Sequence, residues 1–160
     1  MKFEKGNAVT AFVTGTVPVL IHQVNCQGVM GSGIAREIRD RIPQHYTDYE
    51  KVLQKHYEDK TQPLGNYVAT TYNVSGTKTT SVLYGIFSQN NFGRDGREYT
   101  NYAAMSAALV NIAKNNTGKT LAVPYGIGCG LGGGDWAIVQ TLLANVESMY
   151  DVEFVVIELV

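Results

Sequence analysis

Two stretches of this 160-residue chain are dense in glycine and placed to meet an anion. The first runs Val24-Asn25-Cys26-Gln27-Gly28-Val29-Met30-Gly31-Ser32-Gly33-Ile34-Ala35 and leads into a helical pattern. Backbone N–H groups at a helix start have no partner inside the helix and favour a phosphate or similar anion. A tight strand–helix turn with no ligand gives the same pattern, so Gly-x-Gly alone decides little. The second stretch, Tyr125 to Gly134, holds six glycines within nine positions: Gly126, Gly128, Gly130, Gly132, Gly133 and Gly134. So much glycine costs conformational entropy on folding, which an unliganded turn has no need to spend. The economical reading is a second side to one anion cradle. It is not a P-loop, because no Gly-Lys-Ser/Thr follows. Four charged or titratable residues stand near these loops: His22 before the first, Asp135 after the second, and the pair Arg94 and Arg97 in a third, polar loop from Gln89 to Arg97. An imidazole can give or take a proton near neutral pH, and an arginine can pair with a phosphate.

These residues need elements to hold them. Val19 to Val24 is a short apolar run that reads as a buried strand. Ile34, Ile38 and Ile42 recur every four residues among charges, an amphipathic helix ending at Pro43. Tyr46, Tyr49, Leu53 and Tyr57 continue a helix over about 44–57, with the tyrosines in packing positions and His45 and His56 solvated. Strands are predicted over 66–72, 81–87, 120–123 and 153–160, and helices over 102–113 and 136–149. Strands alternating with helices give an α/β sheet covered on both faces. Ligands of such sheets bind beyond the C-terminal strand ends, where both glycine loops fall.

Composition narrows the classes. Thirteen basic against 14 acidic residues leave a net charge of −1, which speaks against a nucleic-acid-coating protein. Two cysteines, Cys26 and Cys129, cannot make a disulfide framework and read as packing residues in a reduced, cytoplasmic chain. No apolar run approaches a membrane span, no His/Cys/Asp/Glu cluster has metal-ligand spacing, and no cofactor is implied. The length fits a single domain over residues 1–160, with a monomer favoured.

The stretch from His22 to Ala35 resembles the first signature of macro domains, a family that binds ADP-ribose. Gly126-Ile127-Gly128-Cys129-Gly130-Leu131 resembles that family's second, diphosphate-binding loop, and Lys5-Gly6-Asn7 resembles its opening. The motifs stand in family order over nearly the whole chain. His22 together with Gly132-Gly133-Gly134-Asp135-Trp136 is similar to phage and bacterial members and to ADP-ribose-1''-phosphate phosphatases. The resemblance implies a three-layer α/β/α fold with a central mixed sheet. It implies that Asn25 holds the distal ribose, that Gly31, Ser32, Gly33 and Ile34 hold one side of the diphosphate, and that Gly126, Gly128, Cys129, Gly130 and Leu131 hold the other. Asn7 stands where most members carry an Asp that accepts from adenine, and Phe154 is the candidate to stack on that base. The implied activity is hydrolysis of ADP-ribose-1''-phosphate to ADP-ribose and phosphate, with His22 and Asp135 catalytic and Arg94 or Arg97 on the terminal phosphate. His22 as a neutral core histidine and Asp135 as a helix cap are the alternatives. A non-enzymatic ADP-ribose reader, or a hydrolase freeing ADP-ribose from protein or nucleic acid, are the other functions. The Ser88–Arg97 loop has no lysine, which disfavours a lysine-dependent route.

Overall fold

The computed structural model describes residues 1–160. Its elements run β1 (Lys2–Lys5), α1 (Ala8–Val13), β2 (Val19–Asn25), α2 (Gly33–Arg41), α3 (Pro43–Asp59), β3 (Tyr67–Asn73), β4 (Thr80–Gln89), α4 (Tyr102–Lys114), β5 (Lys119–Pro124), α5 (Trp136–Met149) and β6 (Val152–Glu158). The strands form one sheet in the order β1-β6-β5-β2-β4-β3. Neighbours are parallel except β3, which pairs antiparallel with β4, so the sheet is mixed. No helix is long and apolar enough to cross a membrane.

Successive side chains of a strand point to opposite faces, and in β2 that alternation builds two cores. Val19 and Ile21 join the core under α4 and α5, with Leu121, Val123, Phe154 and Val156 of the neighbouring strands. Leu20 joins the core under α1 and α2, with Phe12, Ile38, Leu83 and Val155. Val24 packs with Tyr49 of α3, Val68 and Phe87 in a third cluster. The result is the three-layer α/β/α arrangement expected from the alternation of elements.

The sequence reading has no element before residue 19, and two exist there. Every residue of β1 is exposed, so its Lys-Phe-Glu-Lys pattern carries no burial signal. Pairing with Val155–Glu158 of β6 makes it a strand. Helix α1 is six residues long and is capped by Asn7, whose side chain accepts from the Thr10 N–H. Phe154 is fully buried under α4 and α5, which removes it as a base-stacking candidate. Tyr57 is 81% exposed rather than packed.

His22 and His45 give the largest correction on the opposite face. Both are fully buried, and their Nε2 atoms lie 2.8 Å apart. His45 is not solvated, because with Tyr49 it forms the stripe of α3 that lies on the sheet. Beneath it on β4 lies Gly85, beside His22 in the sheet, where a Cβ would come within 3.2 Å of His45 Nε2. A larger residue there would meet the imidazole. The hydrogen bonds fix the direction of the chain of groups. Thr70 Oγ1 donates to Asp48 Oδ2 at 2.7 Å, so it accepts from His45 Nδ1 at 2.8 Å. His45 Nε2 is then the acceptor and His22 Nε2 the donor, which leaves His22 Nδ1 buried without a partner.

Burial lowers both imidazole pKa values. His22 lies well below the ordinary value through desolvation and the nearby His45, and His45 falls to about 4 through desolvation, partly offset by the Asp48 charge. The unfolded chain therefore binds these protons first. This contribution to stability is complete above about pH 6.5 and is lost as pH falls from there through the folded values. Between pH 7 and pH 5 the chain should lose about 2 kcal/mol through His45 alone. Urea melts at the two pH values check this, and His45→Gln should reduce the difference to the part that the buried His22 contributes.

Candidate functional site: a cleft at the strand ends

The C-terminal ends of β2, β4 and β5 open into a cleft of about 670 Å³. Its lining includes Asn25, Gly31, Ser32, Gly33 and Ile34 from the first glycine loop, and Gly126, Gly128, Gly130 and Leu131 from the second. The sheet thus brings together the two stretches that sequence places about 100 residues apart. Arg94, from the third loop, is the one charged residue in the lining.

The first loop is held from beneath by tyrosines. The Tyr49 hydroxyl donates to the backbone oxygen of Asn25 at 2.6 Å and reaches its Oδ1 at 2.9 Å, and it accepts from the Gly28 N–H at 3.0 Å. Tyr46 donates to the Gly28 carbonyl at 2.8 Å. Asn25 itself bridges the loop, with Oδ1 accepting from the Gln27 N–H at 3.0 Å and Nδ2 donating to Val29 O at 2.8 Å. The loop then delivers the N-terminus of α2 to the cleft. Ser32 stands at the cap with extended backbone and makes no side-chain capping bond. Gly33 adopts φ +58°, and a Cβ placed there would meet nothing within 4 Å. Here glycine serves backbone conformation.

The second loop uses glycine differently. A Cβ at Gly132 would sit 2.7 Å from Gly128 O and Thr100 Oγ1, and 2.8 Å from Gln23 Nε2. A Cβ at Gly133 would collide with the Arg97 carbonyl oxygen, and one at Gly134 would meet Gly128 O at 2.7 Å. These three glycines are required by packing on the protein itself. Gly130 has open space beside it and no positive φ, and it lines the cleft.

The two expected catalytic residues lie outside this cleft. Gln23 faces into it, so His22, one residue earlier on β2, faces α3 instead. A fully buried imidazole held neutral against His45 cannot reach a substrate in the cleft, which corrects the acid role expected for it. Asp135 is the N-cap of α5, its Oδ1 accepting from the Ala137 N–H at 2.9 Å, and its backbone N–H donates to Tyr102 Oη. It too is absent from the lining. Asn7 caps α1 and donates from Nδ2 to Glu37 Oε2 at 3.0 Å, also away from the cleft lining. Arg97 pairs with Asp95 on the exposed side of the third loop.

The cysteines do not act as nucleophiles on this geometry. Burial pushes the Cys26 thiol to about 11. Burial, then the nearby Asp135 charge, raise Cys129, whose Sγ donates to the Ile127 carbonyl. Cys129 packs against the core between two cleft-lining glycines.

Residues missed in the sequence include Gln23, Gln89 and Phe92, all in the lining. Only Gln23 left a trace, as a polar residue near the end of an otherwise apolar run.

The macro domain family model matches residues 21–143, three quarters of the chain, and spans both loops. The chain belongs to the macro domain family. It is 30% identical over 139 residues to a Mycobacterium tuberculosis protein named DNA ADP-ribosyl glycohydrolase; this covers 86% of the chain but 37% of that relative's length. It is 26% identical over 155 residues to an uncharacterised 17.5 kDa protein of phage T4, covering 97% and 95% of the two chains. Among solved structures, the macrodomain of Mycobacterium tuberculosis DarG superposes with a TM-score of 0.71 at 24% identity, over 97% of this chain and 96% of that one. Thermosipho africanus DarTG, solved in complex with ADP-ribose, gives 0.69 at 20% identity, over 99% of this chain and 42% of that one. These likenesses show the fold of this macro domain.

The contrast between glycines yields a test. Gly133→Ala, at φ +71° and against backbone, should cost stability on the scale of about 3 kcal/mol or more. Gly130→Ala should leave the melting temperature within about 2 °C, since its surroundings are open. Thermal denaturation of the two variants reads the difference.

Proposed function

We propose that this macro domain binds ADP-ribose in the cleft and hydrolyses ADP-ribose-1''-phosphate to ADP-ribose and phosphate. The observation that carries the reading is the cleft's electrostatic character. Its walls are two glycine-rich loops and a helix N-terminus, and its single charged side chain is Arg94. Such a site suits a phosphate-bearing ligand with an uncharged remainder. The volume lies within the range of small-molecule sites. The solved structure with ADP-ribose bound, alike in fold, supports the ligand. In this reading the N-terminus of α2 and the Gly126–Leu131 loop hold the diphosphate, Asn25 borders the distal ribose, and Arg94, the one cation in the lining, offsets the charge of the diphosphate as well as that of the substrate's terminal phosphate. Water attacks phosphorus and the phosphorus–oxygen bond to the ribose breaks. The protons of the water end on the ribose hydroxyl and the phosphate.

A second reading is release of ADP-ribose from DNA. The name of the 30% identical relatives favours it, although the chain matches about a third of their length. The absence of lysine from the third loop argues for a route that does not pass through an amine. The continuous sheet from Lys2 to Glu158 supports reading residues 1–160 as one domain.

At about 100 times its dissociation constant, ADP-ribose should raise stability by about 2.7 kcal/mol, a melting shift of roughly 5–11 °C. AMP should shift it much less. Arg94→Ala should weaken ADP-ribose binding about 10-fold, the size of a charge-assisted hydrogen bond, and should lower phosphate release from ADP-ribose-1''-phosphate further. An absent melting shift overturns the binding site. Binding without phosphate release, joined to release of ADP-ribose from modified DNA, selects the second reading.

A further inference from the structure

We propose that Gln23 and Thr100 are positioning residues that clamp the loop carrying Arg94 to the second glycine loop. The inference rests on the ADP-ribose reading of the cleft and names what holds its charged group in place.

The third loop leaves the sheet at Gln89 and returns at Thr100, and these two residues form an isolated antiparallel bridge. Between them lie Phe92, Gly93 and Arg94, all in the cleft lining. The Gln23 carboxamide reaches both feet of this loop from the central strand. Its Nε2 donates to Gln89 Oε1 at 2.8 Å and to Thr100 Oγ1 at 3.1 Å, using both of its N–H groups. Its Oε1 accepts from Ser88 Oγ at 2.6 Å. Ser88 O also accepts from the Asn101 N–H at 2.7 Å, closing the base of the loop a second time.

Thr100 carries the connection onward. Having accepted from Gln23, its hydroxyl donates to Gly128 O at 2.7 Å. The same carbonyl accepts from the Gly134 N–H at 2.8 Å. The Tyr99 and Thr100 N–H groups both donate to Gly132 O, at 2.7 and 3.0 Å. Thr100 is 6% exposed and does not line the cleft, so it touches no ligand there. The crowding at Gly128, Gly132 and Gly134 centres on these same atoms: Gln23 and Thr100 supply the close neighbours at Gly128 and Gly132. The glycines admit the clamp, and the clamp fixes the distance between the glycine loop and Arg94. The hydrogen bonds run from Gln23 through Thr100 to Gly128, so removal of the middle hydroxyl loosens the link between the two loops, leaving the Tyr99 and Thr100 N–H bonds to Gly132 O to span it.

The test is a double-mutant cycle read by calorimetry with ADP-ribose, alongside melting temperatures. Thr100→Val keeps the shape and removes the hydroxyl. It should weaken ADP-ribose about 10-fold, and Thr100→Ser should restore affinity to within 2-fold. In the Thr100→Val background, Arg94→Ala should cost less than 2-fold more, because the arginine is already displaced. Losses that multiply, a Thr100→Val variant that binds like the parent, or a serine variant that fails to restore binding each overturn the proposal. If Thr100→Val does not fold, Thr100→Ala takes its place in the cycle. Amide hydrogen exchange without ligand separates this inference from the function on which it rests. The Tyr99 and Gly134 N–H groups should lose protection in Thr100→Val while β5 and β6 keep theirs. Unchanged protection overturns the clamp even if ADP-ribose binds, and lost protection with no ADP-ribose binding in the parent chain overturns the function instead.

Discussion

The alternation of side chains along β2 is the constraint on which the rest of this structure depends. The strand lies in the interior of the sheet, between β5 and β4, with helices packed on both faces, and only its C-terminal end opens to the cleft. Val19 and Ile21 belong to the core beneath α4 and α5, and Leu20 to the core beneath α1 and α2. Once those residues are placed, Gln23 must follow the first set and His22 the second. A shift of one residue would exchange them. The amide would go into an apolar interior and the imidazole into the cleft. The identity of the group that faces the cleft is therefore set by packing several residues away.

Burying polar groups is costly unless they are paired, and the chain pairs them in two networks. On the α3 side, His22, His45, Thr70 and Asp48 form a line of hydrogen bonds that reaches a partly exposed carboxylate. Gly85 leaves room for the imidazole within it. On the cleft side, Gln23, Ser88, Gln89 and Thr100 satisfy one another and Gly128 O. The first network orders the interior and has no access to ligand. The second borders the cleft and ties the second and third loops to the sheet. Tyr49 extends the same logic to the first loop, because a hydroxyl on a rigid, fully buried ring fixes Asn25 and Gly28 from below.

The two glycine loops share a composition and differ in physics. In the first, Gly28 and Gly33 take left-handed backbone that turns the chain into α2. In the second, Gly132, Gly133 and Gly134 yield space to carbonyl oxygens and to the Gln23 and Thr100 side chains. Within that second loop, Gly130 combines open surroundings and a place in the cleft without positive φ. The glycine excess reads from the sequence as space left for a ligand, and much of it is space left for the protein.

The sequence by itself determined the layer order, the two glycine-rich loops at the strand ends and the family. Those features are local: apolar periods of two and four, and motifs of a dozen residues whose backbone needs are written in their glycines. The helices after residue 33 and the strands after residue 19 follow from them. What the sequence left open depended on distant partners. β1 has no apolar pattern of its own and exists through its pairing with β6. The role of His22 turned on whether α3 would bring another imidazole to it, and the freedom of Asp135 turned on the Ala137 N–H of its own helix. Gln23 and Thr100 are separated by 77 residues, and neither carries a signature. Tertiary structure decided these cases, because a polar side chain takes its role from the partner it finds, and for most of them that partner lies far along the chain.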